Sequence, residues 1–296
     1  MRIFVILISM LLMAFSSMAQ QQPSNYNYLI DPFSINPAMA GYEFDPIFNL
    51  SAKGSFQGMD GAPRSMFFST HGKALSPKVG LGLNFFSDKI GVTSTNGVYG
   101  SYSYSLISKN KNSFTSWGFH PHVLSFGLRA GVSFFNENLR SLDIDDDPNF
   151  EKNISIVTPS VGLGIYYSKN KFFAGLSIPE ILTIWEDQNL NLSRHLFLNS
   201  GYELILNPKS KIQLNSLIKM VKGSPLQIDG NAILELKDKI RLGLGYRSIS
   251  YVNFMVGFEF INGLDFNYFY EIPLSSNVQK INFNNHEISL RYRLRR

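Results

Sequence analysis

The chain has 296 residues, of which 44% are hydrophobic and 14% aromatic, and its formal net charge is +5. Charged residues make up 17%, below the ~25% that is usual in soluble domains. The absence of cysteine excludes disulfides and thiol chemistry. So small a charge excess, scattered along the chain, does not indicate nucleic-acid binding.

The first residues have the form of a secretory signal. Met1-Arg2 supplies a positive start, residues 3–15 an apolar stretch, and Ser17-Met18-Ala19 a small-x-small cleavage site. The apolar stretch is too short to span a bilayer comfortably, which disfavours a retained transmembrane helix. We predict that residues 1–19 are a signal peptide.

Residues 20–45 are rich in Pro and Asn and show no periodic pattern. Proline cannot donate to a strand ladder, so a first strand is not expected here. We predict an irregular N-terminal lead-in that lies in the periplasm or inserts into the lumen of the domain that follows.

From residue 46 onward, apolar and small or polar side chains alternate. Leu124 and Phe126 share one face of a strand, while Ser125 and Gly127 share the other. Because lipid offers the backbone no hydrogen-bond partners, only helices and closed barrels span it, and spanning strands are apolar outside and polar inside. The pattern predicts an all-β transmembrane antiparallel barrel. A soluble sandwich or propeller would need a second sheet over each apolar face.

Fourteen strands are predicted, an even number as in most single-chain bacterial barrels, and they place the outer-membrane barrel at 46–296. Their bounds are about 46–57, 63–74, 77–87, 92–107, 121–135, 156–168, 171–178, 194–207, 210–221, 226–236, 239–250, 251–262, 263–273 and 285–294. Asn262-Gly263 predicts a type I′ hairpin turn. Longer connections at 108–120, 136–155, 179–193 and 274–284 are predicted to be extracellular loops or lids.

Several charged residues lie among the small residues of the strands: Arg129, Lys219, Asp229, Arg247, Glu259 and Asp265. A mid-membrane Arg or Lys on the lipid face costs about 2–4 kcal/mol, so we expect these side chains to point inward. There they would form ladders of opposite sign that brace the barrel or hold the N-terminal segment. A conduction path is the alternative.

An acidic cluster contains Asp143, Asp145, Asp146 and Asp147. Its spacing partly fits a calcium loop, but Pro148 stands where that loop needs glycine, and no carboxylate occupies the last ligand position. We interpret the cluster as a solvated acidic loop, with weak binding of a divalent cation or contact with a basic partner as the alternatives.

The histidines give little indication of a metal site or a catalytic site. His120 and His122 share a face, but two ligands make a poor zinc site. His71, His195 and His286 lie alone on predicted strands, and no nucleophile motif is present. We therefore expect no metal, no cofactor and no enzymatic activity, with an outer-membrane phospholipase as the enzyme alternative.

A series of short motifs runs through the chain in a fixed order. The residues that carry it are Asn36, Pro37, Ala38, Gly41, Gly61, Pro63, Asp88, Gly91, Pro148, Pro225, Asp229, Tyr246, Arg247, His286 and Glu287. In order and spacing the chain resembles the PorP/SprF family of outer-membrane proteins, from the type IX secretion and gliding machinery of Bacteroidota. It departs from the family pattern at Lys53 with Phe56-Gln57, in place of Arg and Gln-Trp, and at Glu271, where Asp is usual after tyrosine.

The resemblance implies a non-enzymatic barrel that supports secretion or surface anchoring of one large secreted adhesin, through the adhesin's C-terminal domain. It also implies contact with periplasmic ring or tether proteins of the type IX system and with outer-membrane lipid. The terminal Arg295 and Arg296 are candidates for the periplasmic contact. A passive transporter of fatty-acid type, which also uses about fourteen strands and an N-terminal plug, is the alternative.

Overall fold

The protein is described by a computed structural model that covers residues 25–43, 45–56, 59–74, 76–107, 122–142, 144, 147, 150–183, 194–248, 251–274 and 284–294. The strands are β1 Ile47–Ser55, β2 Arg64–Lys73, β3 Val79–Ile90, β4 Thr93–Ile107, β5 Val123–Glu137, β6 Ile154–Lys169, β7 Phe172–Thr183, β8 His195–Asn207, β9 Ser210–Val221, β10 Gln227–Leu236, β11 Ile240–Arg247, β12 Tyr251–Ile261, β13 Leu264–Pro273 and β14 Asn285–Arg293. Short 3₁₀ turns occur at Asn27–Leu29, Pro32–Ser34, Pro37–Met39 and Leu139–Leu142.

None of the helices in the described ranges has the length and apolar character needed to cross a membrane.

The fourteen strands form one closed barrel in which each strand pairs antiparallel with its neighbours in sequence. Closure is made by β1 and β14, with Ile47 opposite Arg293 and Ser55 opposite Asn285. Closing the sheet removes the free edges that an open sheet would expose. The predicted fourteen-stranded antiparallel barrel is confirmed.

The two faces of the sheet differ as the alternation predicts. On β5, Phe126 and Leu128 are 46% and 53% exposed on the outside, whereas Ser125 and Arg129 are 3% and 7% exposed on the inside. The outer apolar band faces lipid, and the inner face is polar and small. Of the charges expected inside, Arg129, Lys219, Asp229, Arg247 and Asp265 are all buried.

The connections fall at two ends, which we call the terminal end and the loop end. At the terminal end, where β1 starts and β14 stops, lie 74–78, 108–122, 170–171, 208–209, 237–239 and 262–263. At the loop end lie 56–63, 91–92, 138–153, 184–194, 222–226, 248–250 and 274–284. Short turns are periplasmic in bacterial barrels, so the terminal end faces the periplasm and the loop end faces outward.

The predicted loop at 108–120 lies outside the described residues. Its flanking strand residues, Ile107 of β4 and Val123 of β5, both lie at the terminal end. The strands that flank 138–153, 184–194 and 274–284 meet those connections at the loop end.

The turn chemistry differs from the prediction. Lys237 and Asp238 have φ of 54° and 55°, as the centre of a type I′ turn requires. Gly263 has φ of 90° but Asn262 keeps a negative φ, so the type I′ prediction at Asn262-Gly263 is wrong. A register shift follows Glu259 on β12, and the Glu259 carboxylate accepts a hydrogen bond from the Gly263 N–H at 2.7 Å. This carboxylate thus caps the turn between β12 and β13.

Residues 25–43, which we call the plug, lie inside the barrel. The plug starts at the loop end and runs down the lumen to join β1 at the terminal end. Glycines on the inner face make room for it. A Cβ on Gly127 would overlap the backbone nitrogen of Ala38, and one on Gly80 would overlap the carbonyl oxygen of Ala40.

The direction of the plug predicts that its first residue, Asn25, can be reached from the cell surface. The chain has no cysteine, so single cysteines can be labelled selectively. We expect Asn25→Cys to react with a membrane-impermeant maleimide on intact cells, as Lys222→Cys at the loop end should. Asp238→Cys, at the terminal end, should react only after the outer membrane is permeabilised. Protection of Asn25→Cys on intact cells would contradict this topology.

Candidate functional site

The plug begins in a cluster of charges near the loop end, formed by Lys53, Asp229, Arg247, Glu271 and Glu287, which we call the loop-end clamp. Arg247 donates to Asp229 Oδ2 from Nη2 at 3.0 Å and to Glu271 Oε1 from Nη1 at 2.8 Å. Lys53 Nζ donates to the other oxygen of Glu271 at 2.7 Å. These ion pairs join β10, β11, β13 and β1 with alternating charge, and Glu287 adds a carboxylate from β14.

Two tyrosines fasten the plug to this clamp. The backbone N–H of Tyr26 donates to Glu287 Oε2 at 2.7 Å, and the Arg247 guanidinium lies 4.4 Å from the centre of the Tyr26 ring. The Tyr28 hydroxyl donates to Asp229 Oδ2 at 3.3 Å. Because these groups are removed from water, losing one partner would leave another charge uncompensated.

The middle of the plug is held by an aspartate and a histidine. His71 Nδ1 accepts the Gly41 N–H at 3.1 Å, so its Nε2 carries the proton that is donated to Asp31 Oδ1, also at 3.1 Å. Ser69 donates to the other oxygen of Asp31.

This group does not form a hydrolytic triad. In a triad the serine donates to the histidine, which removes the serine's proton. Here Ser69 donates to the carboxylate, and both nitrogens of His71 are used to hold the plug.

The third turn of the plug explains the Asn-Pro-Ala motif. Asn36 Oδ1 accepts the Ala38 N–H at 2.9 Å as an N-cap, and Pro37 occupies the first helical position, where no N–H is needed. Asn36 Nδ2 donates across to the Ile165 carbonyl on β6 at 3.0 Å. Ser103 on β4 donates to the Ala40 carbonyl at 2.6 Å.

At the terminal end, Glu43 ties the base of the plug to β14. Its carboxylate pairs with Arg291 and, at 3.0 Å, with Arg293 Nε. Asp265 pairs with Arg291 at 3.3 Å and with Arg241 at 2.8 Å. These five residues are the terminal-end clamp, so the plug is fixed by ion pairs at its base and by charged hydrogen bonds at its top.

The structure distributes the predicted motif residues over distinct places. Asn36, Pro37, Ala38 and Gly41 are in the plug, and Asp229, Arg247 and Glu287 are in the loop-end clamp. Gly61, Pro63, Asp88, Gly91 and Pro225 lie at the loop end, where the Gly91 N–H donates to the Gly61 carbonyl at 2.8 Å. Tyr246 and His286 are on the outer face, where His286 Nδ1 lies 2.6 Å from the Tyr268 hydroxyl.

The predicted partner-binding residues fall mostly outside the described residues. This applies to Asp143, Asp145, Asp146, Arg295 and Arg296, and also to Pro148 and His120. Asp147 lies in the loop-end connection between β5 and β6. Across the described ranges, no group of three or more His, Asp or Glu side chains is placed to hold a metal ion.

Sequence reasoning missed the plug side of both clamps and of the contact with His71. Tyr26, Tyr28, Asp31 and Glu43 belong to the segment without periodicity, where no local pattern marks a contact with the barrel wall. Two of the partners were anticipated, since Arg247 and Asp229 were predicted to face inward, where they would brace the barrel or hold the N-terminal segment.

Solved barrels resemble this fold at low sequence identity. The CymD monoaromatic hydrocarbon channel has a TM-score of 0.51 and 9% identity, with 95% of this chain and 94% of that chain covered. A Pseudomonas aeruginosa FadL homologue has a TM-score of 0.50 and 11% identity, with 95% and 96% covered. Omp33, an outer membrane protein of Acinetobacter baumannii, has a TM-score of 0.49 and 8% identity, with 86% and 100% covered. The likeness is one of fold.

No curated protein matches the chain significantly. The family described as "Type IX secretion system membrane protein PorP/SprF" matches residues 17–292, which include the plug, strands β1 to β13 and all but the last residue of β14. The protein is therefore an outer-membrane β-barrel that belongs to the PorP/SprF family of the type IX secretion system.

Proposed function

We propose that this barrel serves one large secreted adhesin of the type IX system, supporting its secretion or its anchoring at the cell surface. The loop end binds the C-terminal domain of the adhesin, and the terminal end binds periplasmic ring or tether proteins. The barrel acts by recognition and carries out no reaction of its own.

The observation that carries the proposal is the filled lumen. The plug crosses the lumen from end to end and is bound by buried charges at both ends. Moving a polypeptide through this lumen would require breaking these contacts and leaving buried charges unpaired, which is costly. Partners are therefore bound at the two ends of the barrel and do not pass through it.

The ends differ in a way that suits two kinds of partner. Three long connections, 138–153, 184–194 and 274–284, extend from the loop end, and the first of them contains the acidic cluster. The terminal end carries one long connection, 108–122, and the C-terminal arginines. Long outer loops provide the surface for a secreted substrate, and the periplasmic connection provides one for the machinery.

Deletion followed by complementation tests the proposal. Loss of the chain should abolish surface display of one large adhesin while other type IX substrates remain secreted. Complementation with the wild-type chain should restore display, whereas replacement of Asp143, Asp145, Asp146 and Asp147 by asparagine should weaken it. Crosslinking in native outer membranes should recover the adhesin and a periplasmic component. Unchanged display of every substrate would contradict the proposal.

A passive transporter is the second candidate, and a cavity above the plug favours it. Apolar side chains that include Phe67, Phe86, Phe197 and Leu217 contribute to its lining. In planar bilayers a transporter should show conductance that depends on a hydrophobic ligand. The proposed adhesin role predicts no such dependence.

A further inference from the structure

Two cations face each other on the outer surface of the barrel near the loop end. Arg64 begins β2 and is directly opposite Lys89 of β3 in the antiparallel pairing. Both side chains are exposed, whereas Ser65 and Asp88, the residues beside them in sequence, point into the lumen. Directly opposite positions of an antiparallel pair have Cβ atoms about 5 Å apart, so two like charges in this arrangement are unfavourable.

Among the described residues, no acidic side chain compensates the two charges. Neither Arg64 nor Lys89 has an ion pair or a side-chain hydrogen bond within this part of the chain. Strands β1 to β4 contain one acidic residue, Asp88, and its carboxylate accepts a hydrogen bond from Ser65 Oγ on the lumen side at 2.6 Å. Asp60, in the connection before β2, is exposed and forms no ion pair with either cation.

The pair lies at the outer boundary of the apolar band. Strand β2 has 10 residues, from Arg64 at the loop end to Lys73 at the terminal end. With a rise of ~3.3 Å per residue and a tilt of about 40°, this length covers about 25 Å of membrane height, which is the height of the apolar band in such barrels. Below the pair, Met66 and Phe85 are apolar and exposed on the lipid face. Arg64 and Lys89 therefore lie where hydrocarbon gives way to lipid head groups.

Three polar side chains surround Lys89 on the same face. Ser87 lies two residues before it and is diagonal to Arg64, Ser94 of β4 is directly opposite Lys89, and Asn96 is directly opposite Ser87. None of the three forms a side-chain hydrogen bond with another residue that the structure describes. We call Arg64, Ser87, Lys89, Ser94 and Asn96 the outer basic patch. It combines two positive charges with three groups that can donate hydrogen bonds.

We propose that the outer basic patch binds the phosphate group of an anionic lipid in the outer leaflet, with the acyl chains of that lipid against the apolar band. Arg64 and Lys89 supply charge-assisted hydrogen bonds to phosphate oxygens, and the serine hydroxyls and the Asn96 amide supply neutral ones. A phosphate placed between the two cations replaces their mutual repulsion with two attractions.

The position of the patch selects a lipid over a soluble anion. A soluble anion gains only the attraction of exposed charges, which salt screens. A lipid also keeps its acyl chains in hydrocarbon, beside Met66 and Phe85, while its head group lies at the level of the patch. The loop end faces the cell exterior, so this lipid belongs to the outer leaflet. The site stands apart from the proposed adhesin role, because it rests on the outer face of β2 to β4 alone.

Native mass spectrometry of the purified full chain in a neutral detergent tests the ligand class. The probes are lipid A that carries two phosphates and the same lipid A after its phosphates have been removed. We expect the phosphorylated lipid to bind about tenfold or more tightly than the dephosphorylated one, and added salt to reduce this difference. Equal binding of the two lipids would overturn the proposal.

Substitution of the two cations tests the residues. R64Q combined with K89Q should weaken binding of the phosphorylated lipid by about tenfold or more and leave binding of the dephosphorylated lipid unchanged, while K89R alone should bind as the wild type does. Both side chains are exposed, so the double variant should fold, and heat-modifiable mobility on gels checks this. If it does not fold, the comparison of the two lipids on the wild type still decides.

A second double variant controls for net charge. K169Q combined with K209Q removes two exposed lysines from the terminal end and should bind the phosphorylated lipid as the wild type does. Wild-type affinity in the R64Q and K89Q double variant would show that the patch does not hold the lipid. An equal loss of affinity in both double variants would show attraction by net charge alone, and would also overturn the assignment.

Discussion

Replacing Arg247 by methionine should lower the free energy of unfolding by about 3–5 kcal/mol. Arg247 is 4% exposed and donates to both Asp229 and Glu271, so its loss leaves two buried carboxylates without their shared cation. The plug also loses the guanidinium that lies over the Tyr26 ring. Urea unfolding of the purified barrel, followed by circular dichroism and by heat-modifiable mobility on gels, measures the change.

Two further variants separate charge from packing in that result. R140M removes an exposed arginine from the loop end and should change stability by less than about 0.5 kcal/mol. Combining R247M with D229N and E271Q removes the uncompensated charges and should recover part of the loss, because neighbouring substitutions in one network are not additive. Wild-type stability for R247M alone would show that the loop-end clamp does not hold the barrel together.

The clamp also accounts for two departures from the family pattern. The resemblance sets Arg in the stretch where this chain has Lys53, and Asp where it has Glu271. In the structure these two residues form one ion pair, with Lys53 Nζ 2.7 Å from Glu271 Oε2. A lysine lacks the fork of an arginine, and a glutamate reaches further than an aspartate. The two departures thus fall on partners from β1 and β13 that meet on the inner face beside β14, and the pair keeps its charge.

The barrel was predictable because the alternation of apolar and polar side chains is visible within each strand and repeats along the chain. Each strand shows its inner and outer face in its own residues, so the count of fourteen follows from the sequence. The end of β7 was predicted at 178, directly before Pro179, yet the strand continues to Thr183 through a bulge. The bulge depends on Gly162 of the neighbouring strand, which local patterning does not show.

The path of the plug was not predictable from local pattern. Its short 3₁₀ turns are capped locally by Asp31 and Asn36, but their position depends on partners far away in sequence, such as Glu287 and Ile165. The end at which β4 stops and β5 starts, in contrast, could have been derived from the strand count, because successive connections of an antiparallel barrel alternate between its two ends.

Substitution of an inward-facing glycine that contacts the plug should have the second large effect, an opening of the lumen. Gly127→Ala should displace the plug and raise ion conductance in planar bilayers, because its Cβ would overlap backbone atoms of Pro37 and Ala38. Overpacking of this kind destabilises by about 1–3 kcal/mol, and here the strain falls on the segment that fills the lumen. The conductance of single purified barrels and the rate of proteolytic cleavage within residues 25–43 measure the displacement.

Gly230→Ala is the matched control, since Gly230 lies on the outer face and a Cβ there meets nothing within 4 Å. Alanine at this strand position should leave conductance and cleavage unchanged and affect stability by about 0.5 kcal/mol at most. Low conductance in both variants, with cleavage as slow as in the wild type, would mean that the plug tolerates a shift at Gly127. In that case the two clamps alone keep the lumen filled, and R247M combined with Glu43→Gln should be needed to open it.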